Sequence, residues 1–187
     1  MATDWAWDGG RPSLDLVNTY RDRKSGGWEQ LATSADLAEW LTLAGYRDAR
    51  PSPARLKQAV GLREAINDCV TATIGTSPLP LAAVELVNEW AARWRPPAPR
   101  LRVRTEGPPV VETAAGPDPV VTALAEIAAD AVRLLGSDDR DGLRICGSAT
   151  CGLRFADRSQ AGRRQWCSMS RCGNREKARA HRARARQ

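Results

Sequence analysis

The chain has 187 residues, of which 42% are hydrophobic and 27% charged, a globular balance that excludes a wholly disordered polymer. No apolar run approaches the ~20 residues a membrane helix needs, and no basic stretch leads into an apolar one near Met1, so neither secretion nor membrane spanning is expected and the cytoplasm is the expected location. The net charge of +6 is uneven: residues 1–145 hold 17 Lys/Arg against 20 Asp/Glu and residues 146–187 hold 11 against 2, which marks a polyanion-binding end on a mildly acidic body.

The body reads as mainly helical, because its apolar residues recur at three and four. Ser13 is placed to cap a short helix over 14–20, with Leu16 and Tyr20 on one face and Asp15, Asn18 and Asp22 on another. Thr33 or Ser34 caps a helix over Asp36–Ala44 that stops at Gly45. Ser52, with Pro53 at the first helical position, opens the longest helix, which carries Leu56, Ala59, Val60, Ile66 and Val70 up to Gly75. A fourth helix runs from Pro80 through Trp94 to the break at Pro96-Pro97. Leu101–Thr105 and Val110–Thr113 alternate around Glu106-Gly107-Pro108-Pro109, which predicts a β-hairpin. Asp118-Pro119 then opens a helix with Val120, Leu124, Ile127, Ala131 and Leu134 before Gly136. The polar stretch 137–142 is expected to be a linker between a domain at 1–136 and a second at 143–187.

Four of the five cysteines stand as Cys146-x4-Cys151-x15-Cys167-x4-Cys172. Zinc takes four soft ligands in a tetrahedron, and each short pair can wrap a knuckle of backbone around one edge of it. Glycines follow Cys146, Cys151 and Cys172 directly, where the backbone can turn its amides towards sulfur. The segment has few large apolar side chains, so a metal or disulfides must hold it. Two disulfides, or four unrelated thiols, are the competing readings. Four thiolates leave no open position, so one structural zinc is expected rather than a catalytic one. Cys69 sits on an apolar helix face and is expected to be an inert buried thiol. Leu153–Ala156 reads as a strand returning through Arg164-Gln165-Trp166, with a last helix starting near Ser168 or Ser170. That order of knuckle, hairpin, knuckle and helix is a treble clef. The fold class is therefore α+β: a mainly helical N-terminal domain with a small β-hairpin, plus a C-terminal treble-clef zinc finger.

Trp166-Cys167-Ser168-Met169 followed by Cys172-Gly173-Asn174-Arg175-Glu176-Lys177 resembles the CGNR zinc finger, and residues 143–183 fit its layout. Leu14-Asp15-Leu16-Val17-Asn18-Thr19 and Leu62-Arg63-Glu64-Ala65 resemble segments of the ABATE domain that precedes this finger in bacterial proteins. The resemblance implies a ligand-binding type of N-terminal domain, a DNA-binding finger, and a stress-responsive transcription regulator. Gln165 stands where another basic residue is expected.

On the last helix Arg171, Arg175, Arg179, Arg182 and Arg186 fall on one face, and Lys177, Arg163 and Arg164 extend the footprint. Such a stripe suits DNA phosphates or a groove. RNA, the ribosome, a protein or a membrane surface are the alternatives, the last poorly served by a helix whose other side offers only alanines. In the body, Asp15, Asn18 and Arg63 are the polar residues placed for a small-ligand site, or for cross-linking helices. A lone finger gains discrimination from a partner, so a homodimer through the body is an expectation. An enzyme is the reading from another class. It has only carboxylates to work with, because the single histidine lies in the tail and no phosphate loop or nucleophile motif is present.

Overall fold

A computed structural model describes residues 4–96, 99–113 and 118–184. Helix α1 (Pro12–Val17) is followed by a minimal hairpin, β1 (Tyr20–Arg21) and β2 (Trp28–Glu29), then α2 (Ser34–Leu43), α3 (Pro53–Ile74) and α4 (Leu81–Ala91). A second hairpin, β3 (Pro99–Arg102) and β4 (Val110–Thr113), leads to α5 (Pro119–Leu135) and a 3-10 turn over Asp138–Gly142. The finger comprises β5 (Leu143–Ile145), β6 (Arg154–Ala156), a π turn over Met169–Gly173 and α6 (Asn174–Arg184).

Three of the helices start where their caps predict. Thr33 forms a reciprocal capping box with Asp36 on α2, Ser52 accepts from the Arg55 amide on α3, and the Asp118 carboxylate accepts from the Val120 and Val121 amides on α5. Helices α3, α4 and α5 pack on one another, and α1 lies against α3 and α5. They enclose Leu14, Leu16, Trp40, Leu62, Ile66, Leu124, Ile127 and Leu134, all fully buried. Leu143 of β5 and Ala156 of β6 belong to this same core, so the finger's first hairpin is seated in the body. No helix among the described residues is long and apolar enough to cross a membrane.

Several expectations are corrected. Ser13 does not cap α1: Pro12 takes the first position, Arg11 precedes it, and the Ser13 hydroxyl donates instead to Asp130 of α5 at 2.6 Å. Tyr20 leaves the helix for β1, pairing with Glu29. Helix α4 stops at Ala91, short of Trp94. In the second hairpin Leu101 faces Val111 and Arg102 faces Val110, so residues 103–109 form a longer turn than expected. Residues 138–142 coil into a 3-10 turn against α5 and β6.

The largest correction concerns the finger. Strand β6 pairs with β5, Leu143 facing Ala156 and Ile145 facing Arg154, and 164–166 forms no strand. The second edge of β6 is already occupied. The Asn18 amide accepts from the Arg154 amide and donates to the Arg154 carbonyl, each at 2.9 Å, and the Ala156 amide donates to the Gly9 carbonyl at 2.9 Å. A side chain and a turn of the body thus complete the ladder where the returning segment would have paired.

Candidate metal centre and nucleic-acid interface

The four finger cysteines are fully or almost fully buried, and their sulfurs all lie within 4.8 Å of one another. Cys151 and Cys167 are 3.8 Å apart, and Cys167 and Cys172 are 3.7 Å apart. A tetrahedral zinc with Zn–S bonds of ~2.3 Å has edges of roughly 3.8 Å, whereas a disulfide sets its sulfurs ~2.05 Å apart. The thiols are free, and the cluster is positioned to bind one zinc ion. Acidity supports the fit. Hydrogen bonds from Cys151 and Cys167 push the Cys146 thiol down, while the same contacts push Cys151 up to about 12 and Cys167 up as well. Thiolates this close disfavour one another, and a divalent cation is what offsets that crowding.

Around the sulfurs, the Cys167 amide donates to Cys146 Sγ at 3.4 Å. Ser168 accepts from the Arg171 amide and opens the π turn, so Cys172 lies in the first turn of the final helical run. Gly173 lets the Met169 side chain lie close, since a Cβ there would meet its sulfur at 2.5 Å and displace it. Arg175 brings a guanidinium nitrogen to 3.7 Å from Cys172 Sγ and 3.5 Å from Ser148 Oγ, and Ser148 in turn donates to Glu176 at 2.8 Å. The body grips the first knuckle from outside, where Lys24 Nζ donates to the Cys146 carbonyl at 2.6 Å and the Ser148 carbonyl at 3.3 Å.

The expected arginine stripe divides into two uses. Arg171 is half-buried and tied to Asp4 at 2.7 Å and Asp8 at 3.2 Å, whereas Arg175 is exposed and reaches back towards Cys172 and Ser148. Arg163, Arg164, Lys177, Arg179 and Arg182 are exposed, Arg179 leaning towards Glu176 at 3.7 Å. Arg184 is exposed too, and Arg186 lies outside the described residues. The pairing of Arg171 with carboxylates some 160 residues away has no local signature, and the sequence reading missed it along with Arg175's turn towards sulfur.

The three residues singled out in the body are occupied by separate structural partners. Asn18 holds β6. Arg63 bonds both Glu29 oxygens at 2.6 and 2.7 Å and Glu64 at 2.7 Å; burial opposes its charge, but these carboxylates outweigh it and hold the guanidinium firmly protonated. Asp15 accepts from the Gly9 amide at 2.9 Å, and burial pushes its carboxyl up to about 7. Among the described residues its hydrogen bond holds the turn at Gly9.

This value has a testable sign. Between ~3.9, the unfolded value, and about 7, the folded protein keeps a proton that the unfolded chain releases, so stability falls as pH rises through that window. Asp15→Asn keeps the acceptor for Gly9 without the proton. Its increment in melting temperature over wild type, measured at saturating zinc, is expected to grow from about pH 5.5 to about pH 8, and a constant increment would exclude the linkage.

Family models divide the chain in two. The one described as "ABATE: Putative stress-induced transcription regulator" matches residues 10–138, and the CGNR zinc finger matches residues 143–185. Both describe regulatory or zinc-finger units rather than enzymes. No curated protein matches the chain.

Proposed function

The chain belongs to the ABATE family and carries a CGNR zinc finger, and from that premise we propose a transcription regulator whose finger binds duplex DNA and whose helical body senses a small ligand. The observation that carries the first half is helix α6. Its first turn rests on the π turn beside the zinc ligands and on Ser148, and from Lys177 to Arg184 the side chains described are exposed. A helix with basic residues on all sides and no apolar face gains nothing from burial. Its charges are suited to phosphates, and the metal fixes its first turn so that the rest is held out rigidly.

For the second half, the polar trio is already committed, and a better seat lies between α3, α4 and α5. An apolar groove of about 180 Å³, open to solvent, is lined by Cys69, Leu79, Val84, Val87, Val132 and Leu135, with Asn88 as its one amide. A small apolar-lined groove with few polar groups favours a small uncharged apolar ligand, and a small aromatic is the expected ligand class. Val132 and Leu135 stand in the last turn of α5, which hands the chain through the 3-10 turn to β5.

One titration tests both halves. Zinc-loaded protein is titrated against a random DNA duplex over a salt series, with and without indole. Contact with four to five phosphates gives a log–log salt slope of roughly −4, and Arg179→Gln/Arg182→Gln is expected to reduce that slope by about 2. Indole is expected to shift the affinity, because a ligand that binds two states unequally moves their balance. Tighter binding to structured RNA than to the duplex at matched salt would overturn the DNA reading.

A further inference from the structure

Away from α6, the finger carries a second basic surface, an open cleft between its first knuckle and the segment leading into Cys167. Its walls are Arg144, Arg163, Arg164 and Trp166, with the bare backbone of Gly147 and Gly162. The Gly147 amide donates to the Gln165 carbonyl at 2.8 Å and closes the floor. No carboxylate is among the lining residues.

Two of the three guanidinium groups are held in place by hydrogen bonds to uncharged partners, although, beyond the hydrogen bonds from Ser159, the Arg144 charge is near enough to help lower the Asp157 carboxyl. Arg164 donates from Nε to the Trp166 carbonyl at 2.9 Å and lies over the Phe155 ring, 4.7 Å from its centroid. Arg144 donates from Nη1 to the carbonyls of Asp141 and Leu143 at 2.6 and 2.9 Å. Elsewhere the arginines that fasten the fold, Arg55, Arg63 and Arg171, lie against carboxylates. Behind the cleft, the two Asp157 oxygens accept from the Ser159 and Arg164 amides. Carbonyls and a ring orient a guanidinium without neutralising it, and its remaining N–H groups form a fixed fork that matches phosphate oxygens.

We propose that this cleft seats a backbone phosphate of duplex DNA, with Arg144, Arg163 and Arg164 as its donors, as a contact separate from α6. The assignment rests on the DNA-binding reading of the finger. It adds Arg144, which lies outside the cysteine framework, to the residues that touch the nucleic acid.

The test compares Arg144→Gln and Arg163→Gln with Lys57→Gln, which removes the same charge from α3 of the body, in full-length protein of equal zinc content. Arg163 has no side-chain partner among the described residues, so its variant reports on the cleft even if Arg144→Gln disturbs the 3-10 turn. Each cleft variant is expected to weaken duplex binding by about tenfold at 0.1 M salt and to reduce the salt slope by about 1, without dependence on base sequence. Lys57→Gln is expected to leave the slope unchanged. If wild type binds and both cleft variants keep its slope, the seat is refuted while the regulator reading stands. If wild type does not bind duplex DNA, both readings fall.

Discussion

Removing zinc is expected to melt the helical body as well as the finger. Apart from the cysteines, the finger contributes only Leu153 and Phe155 to its buried cluster, joined by Ala6 of the N-terminal segment and with Trp166 half-buried against it, too little to order the segment unaided. The metal supplies the missing free energy, about 10–16 kcal/mol for structural zinc in small fingers at neutral pH. The body relies on that order. Asn18, Lys24 and Gly9 bond to backbone of residues 146–156, Arg154 is buried and donates to Thr71 of α3, and Arg171 holds Asp4 and Asp8. A strong chelator, or Cys172→Ser, should therefore lower the melting temperature of the helices themselves. A loss of about 5 kcal/mol corresponds to roughly 10–20 °C for a chain of this size. Far-ultraviolet circular dichroism during heating checks this: one cooperative transition with zinc, shifted down without it. A helical transition that stays in place after zinc removal would show two independent units.

The second large effect is expected at Asn18. Asn18→Leu fills the same space but strands the amide and carbonyl of Arg154, both turned away from β5 and shut off from water. Each buried unsatisfied backbone group costs about 1–3 kcal/mol, so the variant should lose about 2–6 kcal/mol and melt about 4–24 °C lower. Urea unfolding should show a lower midpoint with an unchanged slope, because the exposed area on unfolding is the same. Since Asn18 acts on the finger through β6, zinc should also leave the variant more readily, and competition with a chromogenic chelator reads that directly. An unchanged zinc affinity would mean that the finger closes on its metal without help from the body.

What could be read from the sequence follows from how far apart the interacting residues lie. The caps at Thr33, Ser52 and Asp118 act within three residues, and α2, α3 and α5 begin where those residues predict. The cysteine pairs span five positions each, and their spacing alone identified the metal site. By contrast, the partner of β6 could not be found locally: the 164–166 segment has a plausible pattern, but the competing Asn18 amide comes from 136 residues away. Arg171 carries the same periodicity as Arg179 and Arg182, yet it is spent on Asp4 and Asp8. Side-chain spacing describes a face, and only the tertiary fold says what that face meets.

The bond between Asn18 and β6 also bears on synthesis. Translation adds about 5–20 residues per second, so the 136 residues separating Asn18 from Arg154 take roughly 7–27 s to emerge. During that interval α1 and the Gly9 turn have no strand to bind, and the cysteines that would recruit the metal are not yet made. Such late closure of distant contacts slows folding and leaves the nascent body open at one end. A ribosome stalled before Cys172 would therefore display a body that proteases can enter near Asn18, and release of the full chain into zinc would close it.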